Sequence, residues 1–333
     1  MKILVNCTLP FMLAHGGQAI QIQRTIAALC ESGVEAEPLR WWDENQTGDL
    51  IHYFGRMPVD QIRFAHQKKL KVVMAELLTS QGSQNFVQRS SRRIFRWAAE
   101  NLAPPTFAAA FGWEPYRIAD GYIALTPWEK YLMQYKFGAD PEKIHVVPNG
   151  VEDVFFQSPE TSRNQWLVCT ATITDRKRVL ELAQAAVAAK TPVWIIGKPY
   201  ADNDAYAKDF LALAASHKDV VRYEGGFSDR VKLAEVYRAA RGFVLLSTME
   251  SLSLSALEAA ACKCPLLLSD LPWARSTFPD TAAFCPIAST NITAQVLRKF
   301  YDDAPNLPRP PRPATWKEVA DQFISAYEKV LAG

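Results

Sequence analysis

One stretch of the chain, Phe243 to Pro265 (F-V-L-L-S-T-M-E-S-L-S-L-S-A-L-E-A-A-A-C-K-C-P), constrains the fold more than any other. Its apolar run Phe243 to Leu246 is too short for a helix and reads as a buried strand, with Ser247 to Ser251 as the polar exit. From Ser253 to Cys262, Leu254, Leu257, Ala260 and Ala261 recur at helical spacing, so the order is strand, loop, helix. Glu250 falls in the loop and Glu258 in the second helical turn. If all the steps between them were helical, the two carboxylates would stand about 12 Å apart along the axis. That matches the span from the sugar to the ribose of a nucleotide diphosphate sugar. Between them, around Ser251, Leu252, Ser253 and Leu254, lie the first backbone N–H groups of the helix, which lack intrahelical partners and favour an anion such as a diphosphate. Any exposed helix can carry two Glu at this spacing, so the rest of the chain must decide.

A chain of 333 residues suggests two domains, and 49% hydrophobic residues can fill two cores. Lys and Arg number 37 against 35 Asp and Glu, a net charge of +2 that argues against nucleic acid as a partner. Cys7, Cys30, Cys169, Cys262, Cys264 and Cys285 are scattered through apolar segments without a C-x-x-C or a Cys/His cluster. Metal ligation and a disulfide framework are therefore not expected, and a reducing cytosol is. The opening M-K-I-L-V-N-C-T-L-P is broken by Asn6, Thr8 and Pro10 and reads as a first strand and loop instead of a secretory leader. No apolar stretch approaches the ~18 residues of a membrane span.

In the N-terminal half, Lys2 to Val5 is a β-type run, and Gln18 to Glu31 is an amphipathic helix with Ile22, Ile26 and Leu29 on one face. Gly16 and Gly17 separate the two. They can let backbone N–H groups approach a phosphate or an acceptor, or can simply form a turn. Further strands at Asp49 to Phe54, Leu70 to Met74 and Gly121 to Leu125 alternate with helical stretches, which predicts a doubly wound α/β domain with ligands at the carboxyl ends of its strands. His52 reads as a structural residue at a strand end. Glu76 follows the V-V-M-A run, where it can serve as a general base or remain an ordinary loop carboxylate. From Phe86 to Leu102, Arg89, Arg92, Arg93 and Arg96 share one helical face and Val87, Ile94, Phe95, Ala98 and Leu102 the opposite one. Such a helix can bind an anionic membrane surface from the cytoplasmic side or a phosphorylated acceptor, or can bury its apolar face in the core and leave its arginines in water.

The second half restarts near Gln165 with W-L-V-C-T-A and continues through strands at Val193 to Gly197, Val221 to Phe227 and Pro265 to Ser269. Asn306 to Ala314 is a proline-rich extended linker, and Trp316 to Leu331 is a helix with Val319, Phe323 and Tyr327 on one face.

Taken together, Glu250 and Glu258 with Ala259, Cys262 and Pro265, the D-L-I-H at Asp49, the A-D-G-Y-I-A-L-T-P-W-E-K-Y-L stretch, F-G-A-D-P-E-K-I-H-V-V-P-N-G-V-E, the Leu233 to Ala240 helix and the final Trp316 helix resemble the family 4 retaining glycosyltransferases. The likeness is best over Asp120 to Asp270 and Pro313 to Leu331. It implies the GT-B fold: two Rossmann-like doubly wound domains facing across a cleft, at 1–153 and 154–312, with a C-terminal helix at 313–333 crossing back to the first. It also implies a metal-independent hexosyltransferase of glycan biosynthesis, without cofactor, that takes a UDP- or GDP-linked sugar as donor and a glycan, lipid-linked or small-molecule hydroxyl as acceptor. By the same resemblance Lys177 holds the donor diphosphate, Glu250 faces the sugar, Glu258 holds the ribose hydroxyls, the Gly16-Gly17 loop lies at the donor, and Gly226 and Phe227 meet the base. The chain departs from the family in three places. Thr172 stands where the family has an arginine, leaving Arg176 or Arg178 to supply that charge; Ser251, Ser253 and Cys264 stand at positions usually glycine; and Glu76 stands near a usual histidine. These departures keep open a nucleotide-sugar-binding protein without turnover, and the fold also admits an epimerase or a phosphorylase.

Overall fold

The computed structural model describes residues 1–7, 16–83, 91, 94–99, 113–157, 162–201 and 203–333. The chain divides into two compact units, Met1–Gly150 with Trp316–Gly333, and Val151–Thr315.

The first unit is built on β1 (Lys2–Cys7), β2 (Glu35–Pro38), β3 (Leu50–Phe54), β4 (Lys71–Met74), β5 (Gly121–Ala124) and β6 (Ile144–Val146). Every pairing is parallel, in the order β2-β1-β3-β4-β5-β6. The chain winds outward from β1 in one direction and from β3 in the other, so the order reverses between them. Parallel strands are covered by helices on both faces, which is why the central β3 is buried at all of its positions and reads as a continuous apolar run around His52.

The second unit repeats the plan with β7 (Leu167–Thr170), β8 (Val193–Ile196), β9 (Val221–Tyr223), β10 (Gly242–Leu245), β11 (Leu266–Ser269) and β12 (Ala282–Cys285). Its order is β12-β11-β10-β7-β8-β9, again all parallel, with the reversal between β7 and β10. Open sheets of this kind bind ligands beyond the carboxyl ends of the two strands that flank the reversal.

The last helix, Trp316–Ala332, belongs to the first unit, where it packs on helix Gly17–Glu31 and on β4. It buries Val319, Ala320, Phe323, Ala326, Tyr327 and Val330. A side chain at Gly121 would bring its Cβ within 2.8 Å of Val330 Cγ2, so the glycine lets this helix seat on β5. Tyr327 reaches His52, with 2.6 Å between its hydroxyl and Nδ1. His52 is therefore an interior residue, and burial pushes its pKa down to about 3.

Two features differ from the sequence reading. Residues 94–99 are helical, but Ile94 and Phe95, which the core-facing alternative for this helix would bury, are 67% and 46% exposed. Arg96 is half-buried, while Arg89, Arg92 and Arg93 lie outside the described residues. The edge strand β2 has no counterpart in the sequence reading, because the half-exposed E-A-E-P carries no apolar alternation. Among the described residues no helix is long and apolar enough to cross a membrane.

Candidate functional site

The two strands flanking the reversal in the second unit each end in a loop that contributes charge. After β7 the chain forms a short 3-10 turn, Asp175–Lys177, and enters helix Val179–Ala188 through Arg178 in a left-handed conformation with φ of 52°. After β10 it passes through Leu246 to Ser253 into helix Leu254–Ala261. Backbone bonds stitch the loops together: Thr248 donates to the Arg176 carbonyl from its N–H at 2.8 Å and from its hydroxyl at 3.3 Å. Lys177 Nζ then forms an ion pair with Glu250 Oε1. The side chains of this pair are only 13% and 11% exposed, so their attraction is screened far less than at a surface. Arg176 Nη1 donates to the Met249 carbonyl at 2.9 Å and lies 3.4 Å from Glu250 Oε1. Arg178 turns away and donates to the Ala288 carbonyl at 2.9 Å. Of the two arginines left open by the sequence, Arg176 is the one beside Lys177.

Helix Leu254–Ala261 starts at Ser253, whose hydroxyl accepts from Ala256 N at 3.3 Å and whose carbonyl accepts from Leu257 N at 3.1 Å. The N–H groups of Leu254 and Ser255 precede these bonds, so they sit at the positive end of the helix dipole. Only the steps from Leu254 onward are helical, so the all-helical premise behind the separation of about 12 Å does not apply; Glu250 to Ser253 is loop. Ser251, Leu252 and Ser253 are buried in that loop. At the far end of the helix the left-handed residue is Lys263, with φ of 56°, and not Cys264, which is fully buried and donates its N–H to the Ala259 carbonyl at 2.9 Å.

Glu258 lies in the interior at 7% exposure. Its Oε1 is bound by Arg230 Nη2, and the Tyr237 hydroxyl stands 3.5 Å from Oε2. Arg230 also donates from Nε to Glu152 Oε1 at 3.1 Å, and its guanidinium lies 4.8 Å from the Phe155 ring centroid. Burial pushes the Glu258 carboxyl above its usual range, and Arg230 opposes that. Sequence reasoning missed Arg230, Glu152 and Tyr237 as partners. The cap at Asp229, whose carboxylate accepts from Val231 N at 2.9 Å, is a legible helix start, but a pairing across 28 residues is not.

Gly226 and Phe227 follow β9. Gly225 has φ of 80° and its carbonyl accepts from Gly197 N at 3.0 Å, which ties this loop to the exit of β8. A Cβ at Gly197 would lie 1.8 Å from the Ala171 carbonyl oxygen, so only glycine fits where β8 leaves the sheet beside β7. Phe227 meets the edge of Trp194 at 5.8 Å, with Lys232 Nζ 4.6 Å from its centroid.

The remaining candidates belong to the first unit. Gly16, with φ of 137°, caps helix Gly17–Glu31; residues 8–15 before it lie outside the described residues. Glu76 is held by Arg56 through Nε at 2.7 Å and Nη2 at 3.0 Å, and by the Tyr116 hydroxyl at 2.7 Å. Among the described residues no group of three or more His, Cys, Asp or Glu side chains converges to hold a metal ion.

Residues 151–313 match the family model described as Glycosyl transferases group 1. The chain is similar to the MMP alpha-(1->4)-mannosyltransferase of Mycolicibacterium hassiacum, with 28% identity over 212 residues covering 59% of this chain and 51% of the relative. It spans about half the length of the curated relatives it matches. Among solved structures it resembles a glycosyltransferase from Rickettsia africae, with a TM-score of 0.66 and 12% identity over 99% of this chain and 98% of that one. Anabaena HepE in complex with UDP and glucose superposes with a TM-score of 0.63 and 13% identity over 100% and 97%. These structural likenesses establish the fold as GT-B.

Proposed function

Through residues 151–313 the chain belongs to the glycosyl transferases group 1 family, and from that premise we propose that it is a retaining, metal-independent glycosyltransferase. Its donor is a nucleotide diphosphate sugar and its acceptor a hydroxyl. The observation that carries this reading is the Lys177–Glu250 pair, a cation and a carboxylate contributed from either side of the sheet reversal and set beside the start of a helix.

An arriving diphosphate competes with Glu250 for Lys177. Arg176 supplies the second cation and stands in for the arginine that Thr172 replaces, and the Leu254 and Ser255 N–H groups supply neutral donors. Glu250, released from Lys177, accepts from hydroxyls of the transferred sugar. Glu258 accepts from the ribose hydroxyls, and Gly226 and Phe227 border the base. In the transfer step the anomeric carbon loses its bond to the diphosphate oxygen and gains one to the acceptor oxygen on the same face. The acceptor proton passes to the departing phosphate oxygen. Charge that develops on the diphosphate is stabilised by Lys177, Arg176 and the helix terminus, which is the main catalytic contribution. Glu76 is assigned no proton transfer in this scheme, since Arg56 and Tyr116 occupy both of its oxygens.

A second reading, donor binding without turnover, is favoured by Thr172 at the arginine position. Incubation with UDP- and GDP-linked sugars, a panel of hydroxyl acceptors and a chelator separates the two. Release of nucleotide with retention at the anomeric proton, lost in K177A, is the expected result. Binding without release supports the second reading, and an inverted product contradicts same-face transfer.

A further inference from the structure

Glu258 is an unusual group to offer to a ribose, because a buried carboxyl tends to take up a proton, and a protonated carboxyl no longer accepts from two hydroxyls. Four titratable or charged groups face it. Glu152 pushes its pKa further up, while the Tyr237 hydroxyl donates weakly at 3.5 Å. Burial holds Tyr237 well above its ordinary range and pushes the Cys262 thiol up to about 12, so both stay neutral. The fourth is Arg230, the first residue of helix Arg230–Ala239, anchored by the Asp229 cap that accepts from Val231 N and Lys232 N. Its guanidinium is fixed on three sides: Nη2 on Glu258 Oε1, Nε on Glu152 Oε1, and its face over the Phe155 ring.

Resting on the donor-site reading above, we propose that Arg230 is a positioning residue that holds Glu258, as a carboxylate, with its second oxygen aimed for the ribose hydroxyls of the donor nucleotide. Arg230 touches neither the sugar nor the diphosphate and acts through Glu258. The planar fork suits this role because it engages two carboxylates from one fixed position, which a lysine ammonium does not reproduce. Glu152 serves as the second anchor, keeping the guanidinium seated when ribose hydroxyls join Glu258.

The test measures UDP affinity of the full chain by calorimetry between pH 6.5 and pH 9, for wild type, R230Q and R230M, with 2′,3′-dideoxy-UDP as a ligand that has no ribose hydroxyls to offer. R230M retains an apolar stem over Phe155, and melting without nucleotide reports whether each variant is folded. Wild type is expected to show one pH profile for both ligands. In the Arg230 variants burial and Glu152 act on Glu258 unopposed, so its proton is retained to higher pH. UDP binding is then expected to weaken as pH falls, by at least about tenfold over the range, as one unit of pKa displacement gives. Dideoxy-UDP is expected to keep its wild-type profile, and R230K to restore part of the loss. A folded R230Q or R230M whose UDP profile parallels wild type, or which loses both ligands equally, overturns the proposal. The underlying reading fails separately: if E258Q does not change the ratio of UDP to dideoxy-UDP affinity, Glu258 does not hold the ribose and the role of Arg230 falls with it.

Discussion

Lys177 and Glu250 pair across the reversal of one sheet, following β7 and β10, whereas Arg56 and Glu76 follow β3 and β4, neighbours on the same side of the reversal in the other sheet. The second pair is closed. Arg56 grips Glu76 with two donors, the Tyr116 hydroxyl adds a third, and the guanidinium lies over the rings of Tyr116 and Phe137 at 5.2 Å and 4.7 Å. In the proposed function the first pair is exchangeable, since an ammonium has rotatable donors that can turn from a carboxylate to a phosphate beside it. An ion pair at the carboxyl end of an α/β sheet is thus insufficient evidence of a ligand site. In the proposed reading, the pair that serves the donor also straddles the reversal and offers a charge that a ligand can redirect.

Replacing both lysine and glutamate in turn is the strongest way to break this contrast. K177A is expected to lower donor turnover by about 10²- to 10³-fold, the scale of losing one preorganised charge donor, while E76Q leaves it within a few-fold. Equal losses in the two variants, measured as nucleotide release, would erase the distinction. A second probe concerns His52, which stays neutral in the folded first unit. Its folded pKa of about 3 lies below the ordinary 6.5, so the unfolded chain takes the proton first. Its contribution is intact above pH 6.5 and is lost as pH falls toward 3, at up to about 1.4 kcal/mol per pH unit. Urea unfolding of wild type and H52Q across that window is expected to show the extra slope in wild type alone.

Much of this plan was visible in the residues. Short apolar runs marked β1, β3, β4, β5, β7, β8, β10 and β11 to within a few residues, because strands buried on both faces must be apolar throughout. The strand, loop and helix around Glu250 were legible too, from the change at Ser253 between a short apolar run with a polar exit and apolar residues at helical spacing. Edge strand β2 was not, since one exposed side removes the need for an apolar pattern. Nor were the side-chain partners that set the chemistry. Arg230 on Glu258, Arg56 on Glu76 and Tyr327 on His52 join residues far apart in the chain, and only the completed sheet order brings them together. The choice between Arg176 and Arg178 needed the left-handed turn at Arg178, which directs that side chain toward Ala288.

Smaller effects sharpen the same comparison. E76Q is expected to destabilise the protein by about 2 kcal/mol, since it leaves a half-buried guanidinium with a weaker partner, and a lowered urea midpoint would register it. Little or no change would mean that the closed pair contributes no more than a surface contact. K263G relieves a left-handed lysine at the end of helix Leu254–Ala261 and is expected to raise stability by up to about 1 kcal/mol without altering turnover. A fall in turnover instead would tie the helix terminus to the site.

The most direct test of the central claim is thermal melting of the full chain against UDP, GDP, ADP and their sugars in a chelator. Ligand that binds only the folded state raises the midpoint, by the equivalent of about 2.7 kcal/mol at a hundredfold excess over the dissociation constant. A rise with one nucleotide family that K177A and E258Q abolish is the predicted result. No rise with any of them, or a rise that survives both substitutions, would contradict the assignment of the reversal between β7 and β10 as the donor site.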